Sequence, residues 1–464
     1  MARIPILKDS TGRAIEEAIL RVGDALGASD RQLSFKRLQQ LIREGSIDDY
    51  LAIGDELEVE KETGLSVSVH TTGSLTASLA EATWNQHVSH LHHGVYEFKY
   101  DGYEWSEHEL GEGLDMAYLG FTLGGTPAED DVIAVTVATV TLVFQYVAKD
   151  KATLANPNLT HSATFQLKNL YRSFQFDAPE AIIYASAAMP AGTYHFNLYK
   201  PGNIYYLNAG LQNKDVQFTT TVDIPAGGQL VVTTGDFRNS TQVSDLKLTS
   251  YVSRSSTTAL ESNIACNEGT SGTDLGDANK ASNNTKINST DRCLYGSNNW
   301  KQSALRLWLN TDKDANAWWT PQGPFDRPSG NVGVQGWMYG IEKDFLDVLQ
   351  DVLNPTTQNW FDGGTTVNSR EKFFIPSNGQ VWFTSAETEG KPWDYYTMFS
   401  DLPSAGTGSD SNRIKTLNGS ASYWWTRSAN SGYSYGEFIV YPDGSWSFYT
   451  AIFSIGVAPA CVIA

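Results

Sequence analysis

The most apolar stretch of the chain, Val132 to Val147, alternates Val, Ala and Leu with Thr. A period of two sends successive side chains to opposite faces, which describes a strand and not a helix. The interleaved threonines also argue against a membrane span, which needs about 20 predominantly apolar residues. A chain with this run near its centre must build a sheet large enough to cover it. The same period governs Glu56-Leu57-Glu58-Val59 and Ser66-Val67-Ser68-Val69, so β structure begins near Tyr50.

The residues before it follow a different rhythm. Ile15, Ile19, Val22 and Leu26 share one face at helical spacing, and Gly27-Ala28-Ser29-Asp30 breaks the pattern with Asp30 as N-cap. Leu33, Leu38, Leu41 and Ile42 form a second stripe that Gly45 ends. Two short amphipathic helices cannot bury both faces alone, so they pack on the next domain or on another copy of the chain. A second β block runs from 148 to 248, with strands at Ala181–Ala185, Gly192–Phe196 and Gly227–Val232 and Pro-Ala-Gly turns between them. That spacing predicts a sandwich-like insert. Residues 267–292 are a polar Asn/Ser/Thr/Gly/Asp loop. Beyond Cys293 the chain is rich in Trp and Gly, and the spacing of Phe345, Leu346, Leu349 and Val352 predicts a helix over Ile341–Leu353, stopped by Asn354-Pro355. The expected class is α+β in four parts: a helical segment 1–45, a β-rich domain 46–147, the insert 148–248 and a C-terminal domain 249–464.

Several function classes can be set aside or weighed here. A net charge of −19 opposes binding to nucleic acid, which needs a basic face, and to an anionic membrane surface. Three cysteines make no disulfide framework; Cys266 and Cys293 either close the polar loop or stay as free thiols beside Cys461. The start, Met1-Ala2-Arg3-Ile4-Pro5, has no hydrophobic signal core, which predicts synthesis in a reducing cytoplasm without Sec-type export. The tract His87-Val88-Ser89-His90-Leu91-His92-His93 is the one histidine cluster. It reads either as a polar strand or loop or, with His90 and His92 repeated about a threefold axis, as a metal site. Exposed imidazoles are the plainer reading, and no metal or cofactor is expected. Glu129-Asp130-Asp131 is a run that solvates a turn, and no nucleophile elbow, P-loop or zinc-protease motif is present.

The C-terminal segment has another character. After Tyr423-Trp424-Trp425-Thr426-Arg427-Ser428 comes a run of Asn, Ser, Gly, Tyr and Phe, closed by Gly456-Val457-Ala458-Pro459-Ala460-Cys461. Between Ser428 and Ile455 the titratable groups are Glu437, Asp443 and four tyrosines, too few for a catalytic constellation. Tyr and Trp give large contact area with few torsions to freeze, and Ser, Gly and Asn adapt their hydrogen bonds, as in a paratope. Such a surface must vary without unfolding, so a core must stand behind it. Trp424, Trp425, Val457, Val462 and Ile463 are the candidates. Strand alternation puts Ile439, Tyr441 and Asp443 on one face and Phe438 and Val440 on the other.

Four ordered blocks carry a resemblance. Tyr295-Gly296-Ser297-Asn298-Asn299-Trp300 with Ser303–Asn310, Lys372–Ser377, Tyr423–Ser428 and Gly456–Ala460 together resemble the C-type-lectin-like domain of the variable proteins of diversity-generating retroelements. That fold is shared with formylglycine-generating enzymes, whose active-site cysteine pair has no counterpart here. In the family, a reverse transcriptase rewrites adenines, and AAC-type codons cannot reach Lys, Gln, Met, Glu or Trp. Residues 429–455 contain no Lys, Gln or Met, and depart from the pattern at Glu437 and Trp446. The resemblance implies variable ligand contacts at Asn430, Ser431, Tyr433, Ser434, Tyr435, Ile439, Tyr441, Asp443, Ser445, Ser447, Phe448, Tyr449, Phe453 and Ile455. It implies a non-enzymatic, virion-borne receptor-binding protein of a phage tail tip, with other tail proteins and a host cell-surface protein or glycan as partners. A homotrimer is one assembly such an organisation allows. The alternatives are a bacterial surface adhesin with the same domain and a tail-spike polysaccharide depolymerase.

Overall fold

The computed structural model describes residues 34–88, 95–108, 110–178, 295–322, 326, 328–359 and 362–464, with short separate pieces between 183 and 252. Strands dominate and the helices are few and short, a β-rich α+β chain. The first expected helix, Cys266, Cys293 and the polar loop lie outside the described residues. So do His90, His92 and His93.

Helix α1 (Phe35–Arg43) is capped by Ser34, whose hydroxyl accepts from the Arg37 amide. The cap falls four residues beyond Asp30, at the Ser that directly precedes the buried stripe. Phe35, Leu38, Leu41 and Ile42 are all buried. They pack within the chain: the Phe35 and Phe345 rings lie 5.2 Å apart, and Gln39 Nε2 donates to the Val348 and Ala464 carbonyls at 3.1 Å.

The beam of the molecule is a pair of long antiparallel strands, β1 (Glu56–His70) and a partner that spans Val132–Lys149. Between them in sequence come β2 (Thr76–Leu79), helix α2 (Glu81–His87), β3 (Val95–Tyr100), β4 (Trp105–Glu107), β5 (Gly111–Glu112) and β6 (Phe121–Gly124), so the partner is β7. The two period-two segments predicted apart at 56–59 and 66–69 are one strand, with a register shift between Glu62 and Gly64. One end of the pair is covered by a small core that holds Trp84, Phe98, Phe121, Ile133 and Val135. The other end runs into a larger core with Leu57, Val59, Phe144 and Tyr146. Burial is lost between them: Thr136, Ala138, Val140 and Thr141 on β7 are exposed to solvent.

Strands β8 (Ala163–Leu167) and β9 (Ser173–Gln175) follow, and both are built into the C-terminal body. In the body come α3 (Ala304–Leu309), α4 (Lys343–Val348), β10 (Val352–Thr357), β11 (Thr366–Glu371), β12 (Phe373–Phe374), α5 (Asp394–Met398), β13 (Trp424–Ala429), β14 (Gly436–Val440), β15 (Trp446–Thr450), β16 (Ser454–Gly456) and β17 (Ala460–Ile463). One sheet runs in the order β12-β17-β8-β7-β3-β4-β5, with β1 also on β7. A second runs β15-β14-β13-β16-β9. Thus residues 148–178, which the sequence groups with the insert, supply one strand to each body sheet. Among the described residues of the insert itself, Gly192–Asn197 pairs antiparallel with Asp215–Thr220, which pairs parallel with Asp245–Leu248.

The helix expected over Ile341–Leu353 is a correction. The chain is helical over Lys343–Val348 only, and Asn354-Pro355 lies inside β10, whose one strand partner among the described residues is β11, with an isolated bridge from Val352 to Leu154 at its start. An edge strand tolerates a proline, because its missing N–H need not face a partner. Among the described residues no helix is long and apolar enough to cross a membrane, and Val132–Lys149 is a strand.

Candidate functional site

The site is best understood from the strand beneath it. The polar side-chain groups of Trp424–Ser428 are spent on the body, except Arg427 Nε, which has no partner among the described residues. Trp424 Nε1 donates to the Arg413 carbonyl and Trp425 Nε1 to the Phe174 carbonyl, both at 2.9 Å. Thr426 Oγ1 reaches the Phe438 carbonyl at 3.1 Å. Arg427 is fully buried and donates to the Ile375 carbonyl, Gln380 Oε1, the Glu389 carbonyl and, at 3.3 Å, the Pro355 carbonyl. Ser428 Oγ donates to Glu389 Oε2 and accepts from the Asn378 amide at 2.9 Å. β13 is therefore a frame strand that ties the second sheet to the 375–389 segment.

Between β13 and β14 the loop 430–436 is held from below by one side chain. Asn298 Nδ2 donates to the carbonyls of Asn430 (3.2 Å), Tyr433 (2.9 Å) and Gly436 (2.7 Å), and the Asn298 amide donates to the Ser434 carbonyl at 3.0 Å. Its own Oδ1 accepts from Asn359 Nδ2. All four contacts to the loop are made to backbone oxygens, so they do not read the identity of the side chains. The β14–β15 turn is held by its own polar groups and by the 409–413 segment. Gly444 adopts φ +80°, and a Cβ there would lie 1.9 Å from the Asp410 carbonyl oxygen. Asp443 accepts from the Ser445 hydroxyl and amide, which holds its carboxyl below the usual range. The Pro442-Asp443-Gly444 sequence is a turn signal in its own right.

Above this frame sit two groups of rings. Phe448 stacks nearly parallel on Tyr433 with centroids 5.5 Å apart, and Phe438 lies 4.8 Å from Trp446. Tyr435 lies 5.0 Å from Tyr295. Across the strand, Tyr449 meets Phe453 at 4.9 Å and Tyr423 at 6.5 Å, and Tyr423 meets Tyr441 at 5.0 Å. Tyr423, Phe448, Tyr449 and Phe453 are 44%, 38%, 40% and 49% exposed, unusual for rings of that size. β15 is the edge of its sheet, and the alternation of its residues feeds both ring groups.

The fourteen residues expected to contact a ligand divide by burial. Ser431, Asp443, Phe448, Tyr449 and Phe453 are exposed, and Asn430, Tyr433, Tyr435, Tyr441, Ser445 and Ser447 are half-buried. Ser434, Ile439 and Ile455 are buried, which corrects their assignment as contacts. Ile439 and Val440 are both fully enclosed, although they point to opposite faces of β14. The reason is that β14 lies between β13 and β15: Ile439 is opposite Trp425, and Val440 opposite Trp424. Asp443 and Ser445 serve the turn. Trp424, Trp425, Val457, Val462 and Ile463, expected as supporting core, are buried.

One group in the site was named in the sequence only as an exception. Glu437 is fully buried on β14 and neither carboxylate oxygen has a hydrogen-bond partner among the described residues. Burial pushes its carboxyl well above the ordinary range, and the nearby Glu389 adds to the effect. Glu389 is raised too, again by burial. Arg427 opposes both, while its own burial lowers it to about 10. The role of Asn298 was missed altogether, although the Gly296-Ser297-Asn298-Asn299 run signals side chains that bind backbone. His87 is half-buried with its ring 4.0 Å from that of Tyr118. Cys461 is a buried free thiol, raised by burial.

Residues 261–464 match the family described as Domain of unknown function (DUF6273). The match takes in the frame strand, the loop and the hairpin. No curated protein and no solved structure matches the chain.

Proposed function

We propose that this chain is a non-enzymatic binding protein. Its C-terminal body is a C-type-lectin-like fold that displays a variable aromatic, Ser and Gly surface at a phage tail tip for a host cell-surface protein or glycan. The observation that carries the reading is the Asn298 clamp: Asn298 grips the loop richest in expected contacts through the loop's carbonyl oxygens. A surface held that way can change its side chains at little cost to the fold. Exposed rings on a rigid support are also the residues that anchor partners, where one well-buried aromatic carries about 2 kcal/mol or more. Several copies on one assembly would offset a weak single contact.

Deep sequencing of the 3′ end of the gene across a population tests this. The expected result is substitution at adenine-derived positions in the codons of Ser431, Tyr433, Tyr435, Phe448, Tyr449 and Phe453. The buried Ser434, Glu437, Ile439 and Ile455 should stay nearly constant. Uniform sequence over these codons, with no template repeat or reverse transcriptase nearby, would remove the reading.

A further inference from the structure

Away from the aromatic surface, a cavity of about 350 Å³ lies where β1 meets the loop 333–337. This is near the lower end of the about 300–1,000 Å³ of small-molecule sites. Tyr171, half-buried, supplies the aromatic wall with the buried Trp308 and Trp337 packed behind it, and Arg172, Lys61 and Glu62 supply charge. Tyr171 stands edge-on to Trp337 at 4.8 Å and nearly parallel to Trp308 at 6.4 Å.

The site is built and not incidental. β1 is clamped to the 337–342 segment: the Glu62 amide donates to the Gly340 carbonyl at 2.7 Å, and Lys61 Nζ donates to the Trp337 carbonyl at 2.8 Å and to that of Tyr339. Gly340 has φ +71°, and a Cβ there would press on Glu62 at 2.8 Å. Gly333, at the rim, has open space beside it.

Three polar atoms in the walls are left over. Arg172 Nε, Trp337 Nε1 and Glu62 Oε1 are buried and have no hydrogen-bond partner among the described residues. Buried polar groups are nearly always paired, so three orphans around one cavity ask for an occupant. Arg172 has no acidic partner among the described residues, in a chain with 52 acidic and 33 basic side chains. Lys61, by contrast, is committed to backbone carbonyls. Burial lowers it to about 7 and raises Glu62 to about 7, so near neutrality Arg172 is the dominant charge.

We propose that this cavity binds an acidic monosaccharide, with the ligand carboxylate on Arg172, its ring against the aromatic wall and a hydroxyl donated to Glu62. A planar guanidinium matches a carboxylate in two-point geometry. A sugar ring offers an apolar face for Tyr171 together with hydroxyls that both donate and accept, as the mixed orphans require. A compact dianion would use neither the rings nor the Glu62 oxygen.

Calorimetric titration of the full chain at pH 7 with galacturonate, glucuronate and N-acetylneuraminate tests this, with galactose and acetate as probes that each lack half of the chemistry. At least one acid should saturate a single site and bind about tenfold or more tighter than galactose and acetate, and Arg172→Met should lose about tenfold. In protein labelled with 5-fluorotryptophan, the Trp337 resonance, assigned by its loss in Trp337→Phe, should shift on saturation. That readout needs no Arg172 variant to fold. Absence of saturation by all three acids, equal binding of galactose, an unaffected Arg172→Met or an unmoved Trp337 resonance would each overturn the proposal. No residue of the β14–β15 hairpin takes part, so failure here leaves the surface reading intact, and the reverse holds.

Discussion

β13 and β15 belong to one sheet, are separated by one strand and are written in nearly the same alphabet of Trp, Ser, Thr and an aromatic neighbour. Yet Trp424–Ser428 is wholly buried, whereas Phe448 and Tyr449 are exposed. Composition cannot tell them apart. Position in the sheet does: β13 has neighbours on both sides, and β15 is an edge. The polar side chains of β13, save Arg427 Nε, are consumed by carbonyls and carboxylates of the body, while Ser447 and Tyr449 make no such commitment among the described residues. The lesson is that an aromatic, Ser-rich strand is frame or surface according to whether its polar groups already have partners.

The sharpest way to break that contrast is to cut a commitment of the frame strand. Arg427→Ala removes a buried cation that serves three carbonyls and Gln380 besides lying over the Phe374 ring at 5.8 Å. Truncating one member of a buried polar network typically costs about 3–5 kcal/mol. Urea denaturation should show a loss of that size or no cooperative transition. Arg427→Lys should not rescue it, because an ammonium cannot span the same set of acceptors. A variant within about 0.5 kcal/mol of the parent would refute the assignment of β13 as frame.

The second way acts on the support of the loop. Asn298→Ala deletes one amide that serves three carbonyls, with an expected loss of about 2–4 kcal/mol from unmet buried acceptors. Hydrogen exchange sharpens the point. Amides of 430–436 should lose protection while those of β13 keep it. Uniform loss, or none, would mean that the loop is held by its side chains, which would undercut the proposed tolerance to variation.

Much of this architecture is legible in the sequence, and the limits have physical causes. The alternation at 132–147 and the two segments at 56–59 and 66–69 mark β7 and β1 because a half-covered strand prints its period on the sequence. The α1 stripe is equally plain. What is not printed is partnership at a distance: β8 pairs with β17 and β9 with β16, both almost three hundred residues on. The 341–353 helix fails for a related reason. Phe345, Val348, Leu349 and Val352 are all buried, the first two by a helix turn and the last two as the chain straightens, so the spacing alone reads as one long helix. At the site, the turn chemistry at Pro442-Asp443-Gly444 and the core role of Trp424 and Trp425 follow from residue type. The enclosure of Ile439 on a face read as outward does not, because it needs the knowledge that β14 is a central strand.

Glu437 lies on that central strand, between frame and surface, and gives the cleanest sign of the expected effects. Its carboxyl is raised by burial, so the folded chain holds the proton more tightly than the unfolded one. Its contribution to stability is therefore intact below the unfolded pKa of about 4.3 and is lost progressively as pH rises toward the folded value. Glu437→Gln keeps the shape and removes the titration. Paired denaturation curves from pH 4 to pH 8 should coincide at the acid end and separate upward, with the variant the more stable by about 1.4 kcal/mol for each pKa unit of elevation. Groups that titrate in both proteins, Lys61 and Glu62 among them, cancel in the difference. Parallel curves would show that Arg427 fully compensates the buried carboxylate, and Glu437 would then belong to the ionic frame beside β13. Separation would show that the chain tolerates an uncompensated acid one strand from its edge. In that case the ionic frame ends at β13.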